Sequence, residues 1–217
     1  MVRKILPLFL LLGRLLGSPG QLVDQERSAL VVVDVQQPFL AQLDIMQRQP
    51  LVHRIAFLMQ VANVLEIPII ATAEDMTKNG GLVEELEALL PTKAGVPTPV
   101  FDKFIWNLAA QDNIRSAVEA TGRDTFIIVG LVTDVCVCQS ALGLQEAGFR
   151  PVVIDDACGS PGPHHDFGIR RLTNANVTIQ SVKGIYYEWV RSIPEDDAMT
   201  AALGNATAGC FPDYYPL

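Results

Sequence analysis

The chain has 217 residues, 49% of them hydrophobic and 18% charged, which suits one domain with a well-buried core and excludes a largely disordered protein. A formal net charge of −8 offers no cationic surface for a phosphate backbone, so nucleic acid is excluded as a partner and a small molecule is expected instead. Four cysteines, at 136, 138, 158 and 210, make neither a disulfide framework nor a zinc set, because Cys136 and Cys138 form only C-x-C with no histidine at ligand spacing.

In chain order, residues 1–22 differ in character from the rest of the chain. Arg3 and Lys4 precede the apolar run from Ile5 to Leu12, and the small residues Ser18 and Gly20 come next, the order of a secretory leader. Arg14 and the absence of acidic residues before Asp24 suit an organelle transit peptide or an upstream extension equally, and the run is too short for a stable membrane span. From residue 28 onward, short β-branched runs at 29–33, 67–71, 125–129 and 151–154 read as strands buried on both faces, with weaker strands at 98–101 and 177–180. Helical patterns fall between them at 51–65, 82–90, 110–120, 135–147, 165–175 and 185–192. This alternation predicts an α/β fold, a three-layer α/β/α sandwich around a six-stranded, mainly parallel sheet of Rossmann-type winding. The main domain is expected over 23–194, and 195–217 reads as a tail whose Phe211, Tyr214 and Tyr215 either dock on a neighbour or remain free.

Ligands of open parallel sheets sit beyond the carboxyl ends of the strands, which selects Asp34 after the first strand in chain order, Lys103 after the third and Cys136 after the fourth. Taken singly, each has an ordinary reading as a cap, a solvated cation or a small buried hydrophobe. Together they fit nucleophilic catalysis. Thr133 or Asp134 is a natural N-cap that places Cys136 in a first helical turn, where free N–H groups and a nearby cation favour the thiolate. Asp34 then takes the thiol proton and returns it to a leaving amine, and Lys103 balances the charge. Gln36 either orients Asp34 or binds backbone; Phe39, Phe104 and Trp106 are candidates for an apolar pocket wall, with core packing the alternative for the two phenylalanines.

At these positions the sequence resembles the isochorismatase-like cysteine hydrolases. The matching pieces are Val33-Asp34-Val35-Gln36-Gln37-Pro38-Phe39, the region of Lys103, Gly130-Leu131-Val132-Thr133-Asp134-Val135-Cys136-Val137, and Ala147-Gly148-Phe149 leading to Val153-Ile154-Asp155-Asp156-Ala157. The resemblance implies a catalytic triad of Asp34, Lys103 and Cys136, a cis peptide at Leu131–Val132, an oxyanion hole from the amides of Val132 and Cys136, and a homo-oligomer. Cys136 sets the chain apart from family members that cleave a vinyl ether without a cysteine. The segment from Ala71 to Thr77 lacks the histidines of the metal-bearing nicotinamidases, so the resemblance is nearest to the metal-independent YcaC-like branch, with no metal and no cofactor expected. The expected activity is hydrolysis of a small amide through a thiol acyl-enzyme; ester or thioester hydrolysis by the same residues, and a non-catalytic member of the fold, are the alternatives.

Overall fold

The apolar run that ends at Asp34 forms the middle of the sheet. In the computed structural model, which describes residues 21–93 and 95–204, β1 (Ser28–Val33) is buried along its whole length and pairs in parallel with β2 (Ile69–Glu74) on one side and β6 (Thr125–Leu131) on the other. A separate two-stranded ribbon comprises β3 (Thr92–Lys93) and β4 (Val96–Pro97). With β5 (Val100–Lys103), β7 (Arg150–Gly159) and β8 (Thr178–Gln180), the main sheet has six strands in the order β5-β2-β1-β6-β7-β8, every pair parallel. The strand order reverses between β1 and β6, and the crevice at their carboxyl ends is the topological switch point.

Side chains alternate across β1 as a doubly covered strand requires. Leu30 and Val32 join the core beneath α2 (Ile45–Val64), α8 (Val182–Val190) and α9 (Ile193–Leu203). Ala29, Val31 and Val33 face the second core, under α5 (Asp112–Ala120), α6 (Cys138–Glu146) and α7 (His164–Asn174). Short helices α1 (Gln37–Leu40), α3 (Met76–Asn79) and α4 (Glu84–Glu87) occupy the connections after β1 and β2. Gly130 lets β6 approach β1 at the switch point: its φ is +122°, and a Cβ there would lie 2.1 Å from the Val33 carbonyl oxygen.

Several boundaries differ from the sequence expectation. β2 runs on to Glu74, past the end of its apolar stretch, so Thr72 and Glu74 are strand residues. α2 begins before Pro50, capped by Asp44, whose side chain accepts from the Met46 amide at 2.8 Å. The larger correction is at the carboxyl end, where 193–203 is a helix rather than an irregular tail. Ser192 Oγ accepts from the Glu195 amide at 3.4 Å and donates to Glu195 Oε2 at 2.7 Å, Tyr186 donates to Asp196 at 2.5 Å, and Met199 is buried against the core of α2. The residues proposed as a leader up to 20, and Phe211, Tyr214 and Tyr215, lie outside the described residues. No described helix is long and apolar enough to cross a membrane.

Met199→Ala should lower the unfolding free energy by about 2 kcal/mol, read as a reduced urea midpoint, because it removes a side chain that is 4% exposed; an unchanged midpoint would show that α9 does not contribute to the core.

Candidate active site

Four strands deliver side chains to the switch point. Asp34 immediately follows β1 with φ +49°, a region that side chains other than glycine's seldom occupy, and its amide donates to the Thr72 carbonyl at 3.0 Å. Its carboxylate is fully buried. Oδ1 accepts from Thr72 Oγ1 at 2.7 Å, and Oδ2 lies 2.9 Å from Lys103 Nζ with no aligned hydrogen-bond donor, which leaves a lone pair able to take a proton. Lys103, the last residue of β5, is also fully buried; besides Asp34 it approaches the Ile105 carbonyl at 3.4 Å and Cys136 Sγ at 3.7 Å. Burial pushes the Asp34 carboxyl above its ordinary range, while Lys103 and Thr72 pull it back.

The Leu131–Val132 peptide at the end of β6 is cis. The chain then makes one wide turn over Thr133–Val137, in which the Val137 amide donates to the Val132 carbonyl five residues back at 3.1 Å, before α6 begins at Cys138. Cys136 is therefore in a π-type turn ahead of α6, not in an α-helical first turn. Neither candidate cap acts as one. Thr133 Oγ1 is 2.9 Å from His165 Nδ1, His165 Nε2 is 3.1 Å from Asp155 Oδ1, and Asp134 Oδ1 accepts from Ser160 Oγ at 2.7 Å. These contacts tie the turn to α7 and to the end of β7, and Gly168 allows the approach, since a Cβ there would stand 2.8 Å from the Asp134 amide nitrogen.

The thiol environment also departs from the expectation of a lowered pKa. Burial and then the Asp34 charge push the Cys136 thiol up, and Lys103 alone among the principal influences acts the other way. These influences favour the protonated thiol over the thiolate. Cys138 and Cys158 are raised by burial as well.

One site residue escaped the sequence reading. Glu74, at the end of β2, accepts from Cys136 Sγ at 3.3 Å. Gln36 serves Glu74 rather than Asp34: its Oε1 accepts from the Glu74 amide at 2.7 Å, and its Nε2 donates to the carbonyls of Glu74 and Gly80 at 3.0 and 2.7 Å. Phe39 is half-buried against the α2 core, whereas Phe104 and Trp106 are 68% and 56% exposed, so in the single chain they do not form a closed pocket wall. Among the described residues, Asp34, Glu74 and Cys136 form the group that could hold a metal, with ligand atoms within 4.8 Å of one another. The Lys103 ammonium already stands against two of the three and opposes a second cation there. The histidines lie elsewhere, His53 beside Glu85 and His164 and His165 at the start of α7, so an Asp and two-His metal set does not fit.

Comparison with known proteins gives the family and the fold. Residues 28–183 match the isochorismatase domain family. The chain is 33% identical to the probable hydrolase YcaC of Escherichia coli over 66% of its own length and 67% of that protein. It is 28% identical to isochorismatase family protein 2A of Dictyostelium discoideum over 78% of this chain and 86% of the relative. Among solved structures, YcaC from Pseudomonas aeruginosa, bearing covalent acrylamide, superposes with a TM-score of 0.77 at 27% identity, covering 90% of this chain and 94% of that one. The E. coli YcaC structure, described as an octameric hydrolase of unknown specificity, gives 0.76 at 29% identity over 88% and 92%.

Lys103→Met leaves the Asp34 carboxylate buried without its counter-charge and should cost roughly 3 kcal/mol of stability at neutral pH. Urea unfolding of the Asp34→Asn/Lys103→Met double variant should show much of that loss recovered; a double variant as unstable as the single one would mean the pair is not coupled.

Proposed function

Since the chain belongs to the isochorismatase family, we propose that it is a hydrolase that cleaves a small amide through Cys136, with Asp34 and Lys103 completing a catalytic triad. The observation that carries this reading is the placement of the Cys136 thiol 3.7 Å from Lys103 Nζ, which is itself 2.9 Å from Asp34 Oδ2, all three fully buried at the switch point. In the proposed reaction Sγ adds to the carbonyl carbon as its proton passes to Asp34, whose raised basicity favours the transfer. The tetrahedral oxyanion is held by the amides of Val132 and Cys136, and the proton on Asp34 goes to the departing amine as the C–N bond breaks. Water then adds to the thioester, the acyl group leaves as the acid, and the thiol is restored. Lys103 keeps Asp34 deprotonated between turnovers and offsets the charge that develops on sulfur. The chain's own groups account for each proton transfer, so the reading calls for no metal or cofactor.

The domain, expected over 23–194, is taken to run on through α9 to residue 203, since Met199 packs in its core, with the segment before it a leader or extension. Assembly into a homo-oligomer is part of the proposal: the similar E. coli protein is octameric, and Phe104, Ile105 and Trp106 form a run of exposed apolar side chains beside the site.

A screen of the purified chain against small primary amides, with ammonia release as the readout, tests the reaction. Cys136→Ala should abolish turnover while leaving the melting temperature within a few degrees; ammonia release that survives the substitution would overturn the assignment. The pH profile supplies a second check. Asp34 must be deprotonated to accept the thiol proton, so kcat/KM is full above its pKa and falls as pH drops through it. Because burial raises that carboxyl, the fall should set in above the ordinary carboxylate value of about 4. An acid limb at or below that value would mean that Lys103 outweighs burial at Asp34; turnover that survives Asp34→Asn would exclude Asp34 as the base.

A further inference from the structure

The turn that carries Cys136 begins with two residues of capping type, and both are turned away from it. A cap's side-chain oxygen accepts from the amide two or three positions on, so Thr133 would reach Val135 or Cys136, and Asp134 would reach Cys136 or Val137. The Cys136 amide is the target they share. The amides on either side of it, of Val135 and Val137, both donate to the Val132 carbonyl at 3.1 Å. Yet no side chain caps the turn. Thr133 is fully buried with Oγ1 2.9 Å from His165 Nδ1, and Asp134 Oδ1 accepts from Ser160 Oγ at 2.7 Å while its Oδ2 stands 3.8 Å from His164 Nδ1.

His165 is itself oriented, by Asp155 Oδ1 at 3.1 Å from its Nε2. That carboxylate comes from a bulge in β7: between the pairing of Ile128 with Val153 and that of Gly130 with Cys158, residues 154–157 stand against Val129 alone. Asp155 turns there to α7, while its neighbour Asp156 turns to α8 and accepts from the Val182 amide at 2.8 Å. The bond to His165 holds the Asp155 carboxyl below its ordinary range. An ionised carboxylate only accepts, so Asp155 keeps the proton of the neutral ring on Nε2 and leaves a lone pair at Nδ1, to which the Thr133 hydroxyl donates. As an ion pair it adds little stability, since the Asp155 side chain is 50% exposed. What it sets is the direction of one buried hydroxyl.

We infer that His165 and Asp155 are positioning residues for the reaction: they draw the Thr133 hydroxyl off the turn, as Ser160 draws off Asp134, so that the Cys136 amide is kept for the oxyanion. This inference rests on the reading of Cys136 as the nucleophile and of its amide as an oxyanion donor. Without His165 the Thr133 hydroxyl is released to cap the turn as its position in the sequence dictates, and it then competes with the substrate oxygen for the Cys136 N–H.

Two probes applied to the full chain, p-nitrophenyl acetate and iodoacetamide, separate this role from a structural one. With the ester, an S–C bond forms through a tetrahedral oxyanion, the C–O bond breaks, p-nitrophenolate leaves and the thiol proton passes to Asp34 and on to solvent. With iodoacetamide the S–C bond forms as the C–I bond breaks, iodide leaves, the proton takes the same route, and no oxyanion arises. Acylation is read as nitrophenolate release with protein in excess over ester, less that of Cys136→Ala, and alkylation as labelling of Cys136 by peptide mass spectrometry. His165→Ala should slow acylation about tenfold or more relative to alkylation. Adding Thr133→Val, which removes the competing hydroxyl, should return the ratio to within about threefold of wild type. Anything short of a selective loss of acylation overturns the inference, and so does a double variant no better than His165→Ala. If His165→Ala does not fold, the wild-type protein still serves: imidazole nitrogen NMR with the ring neutral should find His165 protonated at Nε2, and a proton at Nδ1 overturns the inference. Wild-type Cys136 inert to both probes would instead overturn the nucleophile reading, and this inference with it.

Discussion

A carboxylate and an ammonium taken out of water at the centre of a parallel sheet constrain everything around them. Each of Asp34 and Lys103 would be costly to bury alone, and neither has water to replace the other, so the ends of β1 and β5 must be held at fixed separation by the strand between them. That strand is β2, whose Thr72 supplies the third contact on Asp34 and whose Glu74 faces the thiol. On the other side, Gly130 brings β6 against β1 so that Cys136 reaches the same crevice. The pair organises the site and also requires the sheet to be accurate there.

Its effect on the thiol is less simple than a cation lowering a pKa. Lys103 acts in that direction, but it is committed to Asp34, and the burial that protects the pair also disfavours a sulfur anion. Under the proposed function, this arrangement suits a nucleophile made in the act of attack, with Asp34 as the base. A standing thiolate would invite oxidation and alkylation; a thiol that ionises only with an acceptor at hand is the more guarded form.

Much of this was legible in the sequence. Asp34, Lys103 and Cys136 could be found because their strands are strongly β-branched, so the strand ends, where ligands of such sheets lie, could be placed to within a few residues. Glu74 was not, for a local reason: the apolar run stops at Ala71, and the Thr-Ala-Glu after it reads as loop although it continues the strand. Extending β2 by three residues would have put Glu74 on the short list. The turn bearing Cys136 has no periodic signature, since its five-residue bond closes through tertiary contacts to His165 and Ser160 rather than through local propensity. Helix α9 does carry a local signal. Ser192, with Pro194 in the first turn and Glu195 and Asp196 after it, carries the capping-box pattern and first-turn acids of a helix start, although the Ser192 amide goes to Val190 rather than to Glu195.

The switch-point layout has a temporal side. Asp34, Glu74 and Lys103 all precede β6, whereas Cys136 follows it, so on a chain made from its amino end the polar half of the crevice is synthesised before the sulfur that will occupy it. The thiol enters that environment only when β6 docks along β1, at the contact where Gly130 meets Val33. Until that seam closes, Cys136 is an ordinary cysteine on an unfinished sheet, and its distinct chemistry arrives with the joining of two strands rather than with the residue itself.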